Sequence, residues 1–484
     1  MLRFSKVHAS EGARRRPGLA VAVSALALAS CASLPSDRAP AAALAQPEAL
    51  QTSRSFQVTE AAWPAQDWWR GYNDPQLASL IDEGLAHSPT LAEAEARVRA
   101  ANASRDAARS AAGPNLSLNA SAVEQKESYN FGIPPAFVPQ GYNDYGRATL
   151  DFSYELDFWG RNRAAIAAAT SDQRAAEAEA AQARLMLSTA IADAYADLAR
   201  LTQERAISAQ ALDVRTQTAT LVSNRVDSGL DTRGELSQAQ AGPPAVRAQI
   251  AALDEVIAQT KNRIAALVGA GPDRALDLTP PAQVSPHAFG LPANLSADLI
   301  GRRPDIVAAR WRAEAANGRV EGAQASFYPN VNLVGFLGTQ ALGLNNLTAS
   351  GSDIGSIGPA LSLPIFDSGR LSANLQRTDA ERDAAVAAYN GALTEALHQI
   401  ADVAASERSL DTRLHESRAA LAADEDAFRI ARLRYEGGLS NYQSVLIAED
   451  AVLAQRLAVA DLEARAFTLD VALVRALGGG FTAS

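Results

Sequence analysis

The stretch RATLDFSYELDFWGRNRAAIAAATSDQRAAEAEAAQARLML, residues 147–187, changes its period once, and that change decides the fold. Up to Leu156 it alternates: Leu150, Phe152, Tyr154 and Leu156 interleave with Asp151, Ser153 and Glu155. A period of two puts one apolar and one polar face on a strand. Beyond Gly160-Arg161 the alternation stops and an alanine-rich run begins. It continues over 163–227 without proline, which is the composition of a long helix.

The same change occurs upstream and downstream. Leu116, Leu118, Ala120 and Ala122 alternate with Ser117, Asn119 and Ser121. A weaker pair follows, with Val331, Leu333 and Leu337 and then Leu361, Leu363 and Ile365. Pro359 and Pro364 fall in the last of these, where a ladder hydrogen bond would be lost. The four strands are expected near 115–127, 145–157, 329–341 and 354–366. Loops rich in Gly, Asn, Pro and Ser separate each pair.

The second pair belongs to a second copy of one unit. At a shift of 215 residues, Pro89 falls on Pro304, Arg97 on Arg312, Asn102 on Asn317 and Pro114-Asn115 on Pro329-Asn330. At a shift of 209, Gly160-Arg161 falls on Gly369-Arg370, Ile191-Ala192-Asp193 on Ile400-Ala401-Asp402, and Arg225, Gly229 and Leu230 on Arg434, Gly438 and Leu439. Gly269 falls on Gly478. Agreement at this many positions indicates internal duplication. Each unit reads helix, strand, strand, long helix, helix.

The long helices, 163–227 and 371–436, would each run roughly 95–100 Å at 1.5 Å per residue. In the second, Leu393, Ala396, Ile400, Val403, Leu410 and Leu414 form a coiled-coil seam interrupted at Glu407. Ser228-Gly229 and Gly437-Gly438 end them, as left-handed glycines do. A return helix of about 40 residues follows each. A helix from about 304 to 326 and one from about 440 to 478 together nearly match the long helix, so two short helices end to end could lie beside it. Gly242-Pro243-Pro244 lies inside the first return helix. Each interior proline costs about 3 kcal/mol, so a kink or break is expected near 241–244.

At the N-terminus, Arg3, Lys6 and Arg14 to Arg16 precede an apolar run, Gly18 to Ala29, too short to span a bilayer. It ends in Leu28-Ala29-Ser30-Cys31, which resembles the lipobox of bacterial lipoproteins. That resemblance implies cleavage before Cys31 and lipid on its sulfur and amine. Ala32 follows rather than Asp, which implies passage to the outer membrane. Residues 32–60 have no period and read as an extended tether. The divisions are thus a signal peptide (1–30), a lipidated flexible tether (31–60), a first repeat (61–270), a linker (271–300) and a second repeat (301–484).

Composition bounds the chemistry. The net charge is −10. Residues 1–30 carry five basic side chains and one acidic, so their removal leaves −14. With no basic stripe, nucleic acid is not an expected partner. Cys31 is the single cysteine, and His8, His87, His287, His398 and His415 show no metal-ligand spacing. No nucleophile elbow, P-loop or dinucleotide glycine pattern is present. Neither an enzyme nor a cofactor or metal site is expected.

Four amphipathic strands cannot close a membrane barrel, since about eight are the fewest known. If they cross a bilayer the chain must oligomerise, with Asp151, Ser153 and Glu155 lining a wet lumen. The chain resembles the TolC-like outer-membrane efflux proteins, in their NodT-type lipoprotein branch. The marks are Cys31, Trp68-Trp69, Asp74-Pro75, Leu80-Ile81 and Leu156-Asp157-Phe158-Trp159-Gly160-Arg161. They continue with Arg303-Pro304-Asp305-Ile306, Phe327-Tyr328-Pro329 and Pro364-Ile365-Phe366. The resemblance implies a mainly α fold with a membrane β-barrel: a homotrimer with a twelve-stranded β-barrel on a twelve-helix periplasmic α-barrel. Residues 270–300, a helix near 75–88 and the C-terminus would belt its middle.

By the same resemblance the protein would be the passive outer-membrane duct of a tripartite efflux system for small toxic compounds. Its partners would be a periplasmic adaptor protein and an inner-membrane pump. The adaptor would meet the helix tips at Gly229, Leu230, Asp231, Gly438, Leu439 and Ser440. The tunnel would narrow near Arg233, Glu235, Ser444, Ile447 and Asp450. The family often has aspartate where Ile447 stands, so an acidic ring at that level is not expected. The alternatives are a protein-secretion duct of the same fold and a non-channel coiled-coil envelope lipoprotein.

Overall fold

The computed structural model describes residues 40–46, 50, 52, 54–56, 59–281, 287, 289–293 and 295–483. The signal peptide and Cys31 lie outside the described residues. Two compact units are present. Of the described residues, the first comprises 40–42, 103–171 and 314–384, and the second those within 43–102, 172–313 and 385–483.

The first unit holds one antiparallel sheet. Strands β1 (Asn115–Gln125), β2 (Asn143–Glu155), β3 (Asn330–Leu342) and β4 (Asp353–Ser362) lie in sequence order. Leu118 pairs with Leu150, Leu150 with Leu337, and Gly335 with Ile357. β2 and β3 come from different copies of the repeat, so the duplication is sealed by their pairing. β4 ends at Ser362, short of the expected 366, and Pro364 lies outside it. Pro359 lies inside β4, opposite Leu333 of β3.

Each strand pair turns into a long helix by the same corner. Asp157 accepts from Asn162 N at 3.2 Å and Arg163 N at 2.9 Å, capping α3 (Arg161–Asp227). Asp367 accepts from Gly369 N at 3.1 Å and Leu371 N at 2.9 Å, capping α7 (Arg370–Glu436). Gly160 and Gly369 take φ of +81° and +86° at these corners, a conformation that costs glycine nothing.

In the second unit, α1 (Pro75–His87) packs Leu77, Leu80 and Ile81 against Ile191, Tyr195 and Leu198 of α3. Trp68 and Trp69 close the same core. The second copy repeats the arrangement with α5 (Leu295–Arg302), whose Leu295 and Leu299 meet Leu393, Ala396, Ile400 and Val403 of α7. The coiled-coil seam is therefore buried, and Glu407, where it breaks, has its carboxyl pushed up by burial and by Asp470.

The return helices are α4 (Arg233–Leu267) and α8 (Tyr442–Ala476), each 35 residues rather than about 40. Their ends abut the starts of α2 (Pro89–Ala111) and α6 (Pro304–Ala325). A Cβ on Gly269 would stand 2.6 Å from the His87 carbonyl oxygen, and one on Gly478 2.0 Å from that of Arg302. Two short helices thus meet end to end in each copy. Arg303, 5% exposed, locks the second junction. It grips Asp305 at 3.0 and 2.6 Å, Gln399 Oε1 at 2.9 Å and the Ala476 carbonyl at 3.1 Å.

The expected break at Gly242-Pro243-Pro244 is absent. α4 is one helix through these residues. Pro243 is buried in it with Ala239 and Val246 on either side. Gly242 leaves room for the Arg215 stem, whose Cδ would lie 3.3 Å from a Cβ there. Packing and the capping box at Thr232 and Glu235 offset the two missing hydrogen bonds. The tether also differs from a free chain. Asn390 accepts from Ala45 N at 2.7 Å and donates to the Ala43 carbonyl at 3.3 Å, while Leu50 and Phe56 pack on the α7 core.

Replacing Arg303 by Ala should orphan the Ala476 carbonyl and the Gln399 amide oxygen at a cost of about 3 kcal/mol. Thermal melting of the detergent-solubilised protein should show a clear drop, only partly recovered by Arg303→Lys, which cannot grip Asp305 with a planar fork.

Candidate functional site

Two features can carry function: the faces of the sheet and the tips of the helical hairpins. The pairing register settles the first. Leu116, Leu118, Leu150, Leu337, Ile357 and Leu361 are all exposed and all lie on one face, Leu118 at 71% and Ile357 at 76%. The opposite face carries Asn119, Arg147, Thr149, Asp151, Ser153 and Gln340. Asp151 accepts from Asn119 at 2.8 Å and from Thr149 at 2.9 Å, and Glu155 pairs with Arg161. All three residues expected to face water, Asp151, Ser153 and Glu155, share this face. β1 and β4 each have an unpaired edge. Among the described residues no helix is long and apolar enough to cross a membrane.

At the tips the two copies are built alike. Gly229 and Gly438 both take φ of +73°. Leu230 N donates to the Arg225 carbonyl at 2.8 Å, and Leu439 N to that of Arg434 at 2.7 Å. These close the orphan carbonyls of each long helix. Thr232 and Asn441 cap the return helices in turn, accepting from Glu235 N and Ser444 N at 3.2 Å. Leu230 and Leu439 are left at 66% and 74% exposure, one on each tip. Apolar side chains held out on rigid turns are suited to docking.

Among the several positions at which the tips differ, Val226 against Tyr435 and Asp231 against Ser440 change their contacts. Asp231 falls on Ser440, and only Asp231 makes a tie. It accepts from Arg225 Nε at 3.0 Å and from the Tyr435 hydroxyl. The Arg225 guanidinium lies over the Tyr435 ring at 4.6 Å. Arg225 and Asp231 belong to the first copy and Tyr435 to the second, so the tie joins the two hairpins. Tyr435 is fully buried among Val222, Ala239, Tyr442 and Val445. Burial first, and then Asp231, push its hydroxyl well above the ordinary range. Burial alone would raise the Asp231 carboxyl, but its bonds from Arg225 and Tyr435 outweigh this and hold it low. Ser440 Oγ is buried without a hydrogen-bond partner among the described residues.

Ser444, Ile447 and Asp450 recur every three residues on an exposed strip of α8. Ile447 is bare, whereas Ser444 is engaged by Asn441 and Asp450 by Arg215. Arg233 is exposed, and Glu235 is spent in the capping box. Arg215 also holds Glu449 at 3.0 Å, tying α3 to α8. Sequence reasoning missed Arg215, Glu449 and the pairing of Tyr435 with Asp231. The mismatch of Asp231 and Ser440 at the 209 shift was the available signal for the last. Among the described residues no group of three His, Cys, Asp or Glu side chains could hold a metal.

The outer membrane efflux protein family matches residues 80–270 and 295–479. The multidrug resistance outer membrane protein MdtP of Shigella flexneri is 32% identical over 470 residues, 94% of this chain and 95% of that protein. The fusaric acid resistance protein FusA of Burkholderia cepacia is 36% identical over 369 residues, 75% of this chain and 69% of that protein. The outer membrane protein VceC of Vibrio cholerae superposes with a TM-score of 0.83 at 47% identity, covering 87% of this chain and all of that one. The matched family and the solved structures this chain resembles are outer-membrane efflux channels. The chain belongs to the outer membrane efflux protein family.

The tie at Asp231 should be pH-dependent in a definite direction. Its folded carboxyl titrates below the unfolded one, so the stabilisation is complete above the ordinary aspartate value of about 3.9 and fades as pH falls through the lower folded value. Amide exchange over 225–235 should be faster in Asp231→Asn than in wild type at neutral pH. The ratio of the two rates should shrink toward one in acid.

Proposed function

We propose that three copies of this chain close a twelve-stranded barrel in the outer membrane and form the exit duct of a tripartite efflux system for small toxic compounds. The observation that carries this is the sheet: one face apolar and exposed, the other holding most of its polar and charged side chains, and both edges unpaired among the described residues. In lipid each unpaired backbone group costs several kcal/mol, and closure with neighbouring copies removes the edges. The apolar face then meets lipid, and Asp151, Ser153 and Glu155 line the water-filled bore. The likeness to MdtP and FusA, both named for resistance, supports drugs and other toxic compounds as cargo.

The duct itself supplies no energy, so a periplasmic adaptor and an inner-membrane pump complete the path. The adaptor docks on the two tips, Gly229-Leu230-Asp231 and Gly438-Leu439-Ser440, through their exposed leucines. Docking opens the duct by breaking the Asp231–Tyr435 bond, the contact at the tips that ties the hairpins together alongside Arg215–Glu449 higher up. Lipid on Cys31 gives a second anchor beside the barrel, and no cofactor takes part.

A hydrogen bond to a charged group contributes about 1.5–3 kcal/mol, so Tyr435→Phe should raise the open fraction of single channels in planar bilayers by about tenfold or more. A protein without conductance would be a coiled-coil spacer and not a duct. In cells, deletion should increase sensitivity to several unrelated toxic compounds. Loss of a secreted protein alone would assign the duct to protein secretion. Cys31→Ser should remove the lipid mass from the mature protein while leaving conductance intact.

A further inference from the structure

Two helical turns above Tyr442, the side chains of α3, α7 and α8 enclose a cavity of about 220 Å³. Ile207 and Val214 of α3, Phe428 of α7 and Leu453 of α8 give it apolar walls. Two charged groups of α8 face it, Arg456 and Glu449. Arg456 is already neutralised: Glu425 takes its guanidinium at 2.6 and 3.0 Å. Glu449 is not. It is 5% exposed, and one oxygen accepts from Arg215 Nε at 3.0 Å. Its other oxygen, Oε2, is buried with no hydrogen-bond partner among the described residues. Arg215 must also serve Asp450, so one guanidinium is shared between two carboxylates.

A carboxylate oxygen left bare in an apolar wall is costly, and a hydrogen-bonded cation relieves that cost best. Burial pushes the Glu449 carboxyl up against the opposing pull of Arg215, which reports the same strain. We propose that this cavity binds small amphiphilic ammonium cations, with the Glu449 carboxylate turning to meet the ammonium and a compact apolar body against Phe428 and Leu453. The cavity falls below the 300–1,000 Å³ typical of drug-sized sites, so it suits a ligand of fragment size. Anions are excluded by Glu449. Neutral isosteres lack the charge that satisfies Oε2. The site is separate from the Asp231 tie, shares Arg215 with Asp450 of the exposed strip of α8, and does not depend on transport for its occupancy.

The probe is 2-phenylethylammonium, titrated into the detergent-solubilised full chain and followed by isothermal calorimetry against a detergent blank. Saturable binding of one cation per chain is expected. Glu449→Gln should weaken it at least tenfold, and 2-phenylethanol should bind wild type at least tenfold more weakly than the amine. Ala211→Leu, which fills the cavity and leaves Glu449 in place, should abolish binding, and it serves as the test if Glu449→Gln does not fold. Absence of binding, uptake that is equal in wild type and Ala211→Leu, or equal affinity for the alcohol would each overturn the proposal.

Discussion

A β-strand has backbone donors and acceptors on both sides, and hydrocarbon offers them nothing. The rest of this molecule depends on that constraint. Its four strands expose a row of large apolar side chains on one face, which suits lipid, yet β1 and β4 leave two edges open. A single chain therefore cannot be a finished object in a bilayer. Duplication halves the problem by pairing β2 with β3 across the two repeats. In the proposed trimer, association with further copies removes the remaining edges. The long helices are the consequence on the other side, since each strand pair must hand its chain to an element that satisfies its own backbone.

The two copies show where evolution held the geometry and where it let go. The corners from strand to helix are the same, with an aspartate cap and a left-handed glycine in each. The end-to-end helix junctions at Gly269 and Gly478 are the same, because a carbonyl passes where a side chain would stand. The tips share glycine, exposed leucine and a capped return helix. They part at Asp231 and Ser440. One tip carries a charge that reaches across to the other copy's Tyr435, and the other tip carries a hydroxyl with no partner. Within one chain, two near-equal hairpins therefore make unequal contacts.

Much of this was legible in the chain alone. Alternation over 150–156 and its break at Gly160-Arg161 marked a strand leading into a helix, and the shifts of 215 and 209 marked two copies. Those signals are local or repetitive, and backbone geometry follows from them directly. Gly242-Pro243-Pro244 misled for the opposite reason. Propensity describes a helix in water, whereas α4 is held by its neighbours: Pro243 is buried and Gly242 leaves room for Arg215. The last strand ends at Ser362, before Pro364, whereas Pro359 is accommodated within it, a distinction that only the pairing pattern could make.

What the sequence by itself determined was the grammar: an amphipathic strand pair, a long helix, a return helix, written twice. Periodicity and glycine placement act over a few residues, so they survive without knowledge of the neighbours. What only the tertiary structure decided was which charges meet. Arg225, Asp231 and Tyr435 are separated by up to 210 positions, and Arg215 lies 234 from Glu449. Such pairings depend on how packed helices bring side chains within hydrogen-bonding reach, a short-range condition that spacing along a chain does not encode.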